Sequence, residues 1–208
     1  AYEIYQCDWS SDVCSSDLVG GKGIAMQREL AAVAAEYGIG LVGPNCQGMI
    51  NIAGNVYAGF GSVFFTGYEA GTVSMVSQSG GFGFSVMNLA SKDGGVHFRQ
   101  MVTTGNEIGI STLDFIEHFI DDAKTEVITV YIEGLKDARR LVEVGRKALA
   151  KKKPILAWKV GNTEQGSRAA ASHTANLGGA MALYQAAFRQ SGIIQVEDIQ
   201  DEIGRAHV

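Results

Sequence analysis

The stretch TVSMVSQSGGFG, residues 72–83, decides how the rest of the chain is read. Residues 72–77 have the character of a short buried strand, and the glycines after them lead directly into a helix expected to run to about Lys92. Moving outward, the alternation repeats. Phe98–Thr103 reads as the next strand. Ser111 caps the helix that follows, with Asp114 completing a capping-box pattern and Leu113, Ile116 and Ile120 on one face. Val127–Ile132 is a further strand, and Ala138, Leu141, Gly145 and Ala148 line the helix behind it. Residues 154–160 form a strand, a polar loop follows, 179–190 are helical and 193–196 close the series. Upstream, 27–37 has helical spacing with Leu30, Val33, Ala34 and Tyr37 on one face, and 39–42 reads as a short apolar strand stopped by Gly43-Pro44. The Gly- and aromatic-rich connection 51–71 marks a domain junction. Repeated β-α units of this length predict an α/β fold with a doubly wound parallel sheet, where ligands collect at the carboxyl ends of the strands.

Those strand ends hold the candidate chemistry. After the first comes Ser77-Gln78-Ser79-Gly80-Gly81-Phe82-Gly83. Its glycines let backbone N–H groups approach an anion, the helix N-terminus adds a favourable dipole, and Ser77 and Ser79 carry hydroxyl donors. The other reading is a plain tight turn, and the pattern is no P-loop, because no Gly-Lys-Ser/Thr follows. After the next strand comes Thr103-Thr104-Gly105-Asn106-Glu107, after the third Glu133-Gly134, and after the fourth a loop containing Ser172-His173-Thr174. An imidazole among small residues is a nucleophile at neutral pH when a carboxylate fixes its tautomer, and Glu133 stands on a neighbouring strand end. The alternative is a solvated loop histidine beside a glutamate that caps the next helix. His97, at a strand entrance, and His118, off its helix's apolar face, suit the surface.

Composition narrows the classes. A chain of 208 residues suits one or two domains, and 27 glycines with two prolines suggest strand–helix turns rather than disorder. The formal charge is −5 without a basic stripe, which argues against nucleic acid. No apolar run reaches a membrane span, and no signal peptide is expected. Cys7, Cys14 and Cys46 lack metal-ligand spacing, so neither a metal site nor a disulfide framework is expected.

The two ends share a peculiarity. One back-translation of EIGRAHV (residues 202–208), GAG ATC GGA AGA GCA CAC GTC, has the reverse complement GAC GTG TGC TCT TCC GAT CTC, which translates as DVCSSDL, residues 12–18. The string resembles a sequencing-library adapter, and residues 1–18 and 202–208 are expected to be translated adapter flanking a fragment. Genomic reads running through these codons would refute this. Without the two ends, the charge balance falls from −5 to about −1 and Cys46 is the one thiol left. The expected organisation is 19–70 as the C-terminal remnant of one domain with its connection, and 71–201 as a second domain.

Five motifs occur in order: LVGPNCQGMIN (41–51), VSQSGGFG (76–83), TTGNE (103–107), YIEGLKD (131–137) and AAASHTANLGG (169–179). Together they resemble the nucleoside-diphosphate-forming acyl-CoA synthetases of the succinyl-CoA synthetase superfamily, nearest the ADP-forming acetate–CoA ligase branch. The resemblance implies a flavodoxin-like ligase domain preceded by the tail of a Rossmann-like CoA-binding domain, in a cytoplasmic, oligomeric enzyme. An ATP-grasp domain or subunit would be its partner, and acyl-CoA its substrate. CoA and ADP/ATP with Mg²⁺ would be bound mostly outside this chain, which is expected to be inactive alone. By motif position, His173 would accept the phosphoryl group and Glu133 would orient it. Ser77, Ser79, Gly80 and Gly81 would hold phosphate, and Asn45 and Cys46 would lie at the acyl/CoA site. Glu107, Ser172 and Thr174 would support from behind. The family's glycine after Ser-His-Thr is Ala175 here, a methyl group that narrows the loop's conformations. Two alternatives are a regulatory ligase-like module of a protein lysine acetyltransferase and a non-enzymatic acyl-CoA sensor.

Overall fold

The structure, a computed structural model, describes residues 22–160, 181–197 and 204–206. In chain order its elements are α1 (Lys22–Glu36), β1 (Gly48–Asn51), β2 (Val56–Gly59), a 3₁₀ turn (Ser62–Phe65), β3 (Val73–Ser77), α2 (Gly80–Lys92) and β4 (Phe98–Thr103). They continue with α3 (Thr112–Asp121), β5 (Val127–Ile132), α4 (Ala138–Ala150), β6 (Ile155–Lys159), α5 (Met181–Ser191) and β7 (Ile194–Gln195). The strands form one sheet in the order β2-β1-β4-β3-β5-β6-β7.

From β3 onward all pairings are parallel, and β3 lies between β4 and β5. Counted from β3, the order is 2-1-3-4-5, the doubly wound flavodoxin-like arrangement with its reversal at β3. Every residue of β3 is buried because helices cover both faces. Met75 points to one face and packs with Phe84 and Met87 of α2, whereas Val76 points to the other, with Leu113 and Ile116 of α3 and Leu141 of α4. Local signals place those helices. Ser111 and Asp114 form the capping box on α3, and Asp137 caps α4 by accepting from the N–H groups of Arg139 and Arg140. Gly145 lets α4 close on α5: a Cβ there would stand 2.6 Å from the Ser191 Cβ.

Three expectations need correction. Residues 39–42 do not form a strand; Val42 makes one parallel bridge, to Ile110. The chain there is interrupted by Gly38, Gly40 and Gly43 and lies along 106–110 through Ile110 N–H to Leu41 O and Ile108 N–H to Gly43 O. The connection 51–71 is not irregular throughout, since β1 and β2 form a hairpin whose β1 pairs antiparallel with β4. The sheet is therefore mixed, with two antiparallel strands at one edge. Of the expected apolar face, Ala34 alone is buried; Leu30 and Val33 on α1 and Tyr37 just beyond its end are exposed. Among the described residues, no helix is long and apolar enough to cross a membrane.

Candidate active site

The reversal at β3 brings two candidate segments side by side, because Ser77 is in register with Tyr131 of β5. Beyond Ser77 the chain turns at once into α2. The buried Ser77 hydroxyl shapes that turn, donating to Ser79 O (2.6 Å) and accepting from Ser79 N–H (3.2 Å). Ser79 caps α2 by accepting from Phe82 N–H (3.4 Å). Ser77 thus builds the turn, while the first helical amides, those of Gly80 and Gly81, are the donors a helix start leaves without intrahelical partners. Gly80 is crowded by the Gln47 Cβ, at 2.6 Å from a notional Cβ, whereas Gly81 faces open space.

Glu133 lies directly beyond β5, and its backbone is held by Gln78. The Gln78 carboxamide accepts from Glu133 N–H (2.6 Å) and Gly134 N–H (2.9 Å) and donates to Gly134 O (2.7 Å). On the neighbouring strand, Lys159 is the last residue of β6, in register with Ile132 and 2% exposed. The Lys159 Nζ donates to Val160 O (2.5 Å) and sits 4.9 Å from the Tyr184 ring centroid. Burial lowers the Lys159 pKa, and the Glu133 charge partly offsets this. The Tyr184 hydroxyl accepts from Leu135 N–H (2.8 Å), steadying the same loop. On the other face, Phe82 stacks on Tyr131 with centroids 4.0 Å apart and meets Trp158 edge-on at 4.8 Å.

Glu107 turns inward, at φ +55°. Its Oε1 accepts from Thr104 Oγ1 (2.8 Å), Thr112 N–H (2.9 Å) and the Thr112 hydroxyl, at the positive end of α3. Lys136 Nζ donates to its carbonyl (2.8 Å), tying it to the loop that carries Glu133. Asn45 donates to Asn106 Oδ1 (3.3 Å), and Asn106 in turn donates to Gln27 of α1 (3.2 Å). Cys46 donates its thiol to Val42 O (3.6 Å), and burial raises its pKa above the usual thiol value despite nearby backbone hydrogen bonds, so it is held as the neutral thiol. Thr103, at the end of β4, accepts from Gln47 and Gly48 N–H and donates to Gly48 O, each at 2.9 Å. The segment carrying Asn45 and Cys46 is therefore tied to the strand next to the turn.

Sequence reasoning named Glu133 and the turn but missed Gln78 and Lys159. The signal for Gln78 was its place between two turn serines; for Lys159, its place at the end of a buried strand. His173, Ser172 and Thr174 lie outside the described residues. Among the described residues, no three His, Cys, Asp or Glu side chains are grouped to hold a metal ion. His97 is half-exposed, 3.8 Å from Glu69, and His118 is exposed. A cavity of about 320 Å³, lined by Gly145, Leu149, Lys152, Pro154 and Ile193, opens at the N-terminal ends of β6 and β7, opposite the strand ends described above.

Residues 70–208 match the family of the succinyl-CoA ligase-like flavodoxin domain. The chain belongs to this family. Among curated relatives, this chain is similar to the ADP-forming acetate–CoA ligase I of Archaeoglobus fulgidus, 41% identical over 182 residues, 88% of this chain and 26% of the relative. It is also similar to the alpha subunit of the ADP-forming acetate–CoA ligase II of Pyrococcus furiosus, 38% identical over 187 residues, 90% of this chain and 40% of the relative. Its fold resembles an acetyl-coenzyme A synthetase 1 of Candidatus Korarchaeum cryptofilum, solved in complex with phosphate and ADP. That match has a TM-score of 0.80 and 30% identity, and covers 94% of this chain and 44% of the other. The chain thus spans 26% and 40% of the length of these two curated relatives.

Proposed function

We propose that the chain is the ligase part of an NDP-forming acyl-CoA synthetase, interconverting acyl-CoA, phosphate and ADP with free acid, CoA and ATP. The observation that carries this reading is the convergence of the Gly80–Gly81 helix start and the Glu133 loop at the β3/β5 ends, joined by the Gln78 carboxamide. It gives an anion-binding turn beside a carboxylate, which phosphoryl transfer through a histidine requires. The relatives' printed activities support the same reaction class.

In the acyl-CoA to acid direction, a phosphate oxygen attacks the thioester carbonyl. The C–S bond breaks and CoA leaves as a thiolate, which takes up a proton. A ring nitrogen of His173 then attacks phosphorus, and the P–O bond to the acyl carboxylate breaks, releasing the acid. Glu133 accepts a hydrogen bond from the other ring nitrogen, fixing the tautomer and supporting the cation that develops. A terminal oxygen of ADP finally takes the phosphoryl group, breaking the P–N bond. The amides of Gly80 and Gly81, with the α2 dipole, hold the phosphate, while Ser77 and Ser79 keep the turn in shape. Asn45 and Cys46 flank the acyl/CoA end, and Glu107 steadies the loops from behind. Among the described residues no three His, Cys, Asp or Glu side chains are grouped, so Mg²⁺ would be held with the nucleotide outside this chain.

The full-length protein, recovered with its flanking sequence and incubated with labelled ATP and Mg²⁺, should take up acid-labile, base-stable label. His173→Ala should abolish it. A wild type that takes no label would count against this reading and favour the regulatory module.

A further inference from the structure

The parallel ladder between β3 and β5 stops where β3 bends into α2. Its last backbone bond is Gln78 N–H to Tyr131 O, 3.2 Å. Beyond that point the β5 chain has no strand beside it on that side, yet its next two residues include Glu133. The Gln78 side chain fills the gap. A carboxamide has the same acceptor and donor groups as a peptide, and this one pairs with both N–H groups of Glu133 and Gly134 and with Gly134 O, at 2.6–2.9 Å. It is 3% exposed, so it turns away from solvent, whereas Gly81 at the start of α2 is exposed. The rest of the loop has other anchors: Leu135 bonds Tyr184, Lys136 bonds Glu107 O, and Asp137 caps α4.

We propose that Gln78 is a positioning residue for the phosphoryl-transfer reaction: its carboxamide extends the β3–β5 ladder in place of a strand and sets where the Glu133 carboxylate stands relative to the phosphate turn. The inference rests on the proposed function for its consequence but not for its geometry. Gln78 touches no reacting atom; it acts through the Glu133 backbone. No ordinary replacement reproduces it. Asn is one methylene short. Glu keeps both acceptor contacts but cannot donate to Gly134 O and adds a second carboxylate beside Glu133. Met matches the length and offers no partner to the two N–H groups, one of them fully buried, or to the carbonyl.

Two measurements test it. In the 208-residue chain, amide hydrogen exchange at Glu133 and Gly134 should quicken at least tenfold in Q78M and less in Q78E, while the Met75 and Val130 amides keep their protection. Unchanged exchange at Glu133 and Gly134 in a folded Q78M would overturn the proposal, whatever reaction the protein performs. In the full-length protein, Q78M should form labelled phosphohistidine about a hundredfold more slowly, with KM for phosphate changed less than threefold, as expected for a misplaced but intact group. Q78E should recover part of that rate. A wild-type rate in Q78M would overturn the proposal while leaving the reaction standing. A wild type that takes no label removes the reaction, and with it the catalytic half of the proposal.

Discussion

Burial lifts the Tyr131 phenol to about 12, and the neighbouring Glu133 charge adds to the shift. The folded state therefore holds this proton more tightly than the unfolded chain, whose tyrosine titrates near its ordinary value of ~10. The resulting stability is fully present below that value and is lost as pH rises through the folded value. Tyr131→Phe keeps the ring on Phe82 and should flatten the alkaline decline. The difference should reach about 1 kcal/mol in urea melts between pH 9 and 11.5, after discounting for partial exposure. The sequence reading reached Glu133 and the glycine turn because each follows an identifiable strand. It did not reach Gln78, since the structural content of a glutamine lies in its partners, 55 and 56 residues away. Lys159 was missed as well, since only the folded chain brings it 4.9 Å from the Tyr184 ring of a later helix. Ser77 was read as a phosphate donor, and its hydroxyl donates to Ser79 O within the turn.

At the scale of elements, the start of α2 separates glycines packed against neighbours from one that faces open space. A Cβ on Gly83 would stand 2.2 Å from Met101 Cε and 2.6 Å from Ser77 Cβ, whereas one on Gly81 meets nothing within 4 Å. Gly81→Ala should therefore leave the fold intact and raise its stability by ~0.5–1 kcal/mol through helix propensity. The same methyl group should weaken binding of inorganic phosphate severalfold in isothermal titration. Unchanged phosphate binding in this variant would argue against the Gly81 amide as a donor. Long elements were legible because their signals are redundant: α3 combines a capping box with Leu113, Ile116 and Ile120 on one face, all buried. The hairpin was not legible. Its strands are four residues each, bounded by glycines, and its turn is held by a local bond from Gly54 N–H to Asn51 Oδ1 (2.8 Å), features that read as loop. The opposite error at 39–42 has the same origin, since a short apolar run does not show whether a partner strand awaits it.

For the whole molecule, strand–helix alternation was enough to give the doubly wound class, and the order 2-1-3-4-5 puts the turn and Glu133 together at the one place where the winding reverses. What the alternation could not show is that the sheet continues through β1 into the segment expected to be a connection. Met49, Ile50 and Asn51 pair with Val102, Met101 and Gln100, and Ile50 is 1% exposed. A chain beginning at residue 71 would lose the burial of Ile50, Ile52 and Phe64, about 4.5–9 kcal/mol, comparable with the stability of a whole domain. It would also bare the backbone edge of β4. Such a chain should aggregate on size-exclusion chromatography, whereas one beginning at residue 40 should stay monodisperse; equal behaviour would show that β1 is dispensable. The hairpin has a further consequence for inheritance. A gene rearrangement that moves this domain to a new polypeptide keeps the hairpin only if it breaks before Gly48, and keeps the bonds from Asn106 N–H to Pro44 O and Ile108 N–H to Gly43 O only if it breaks before Gly43, which carries Asn45 and Cys46 along as passengers.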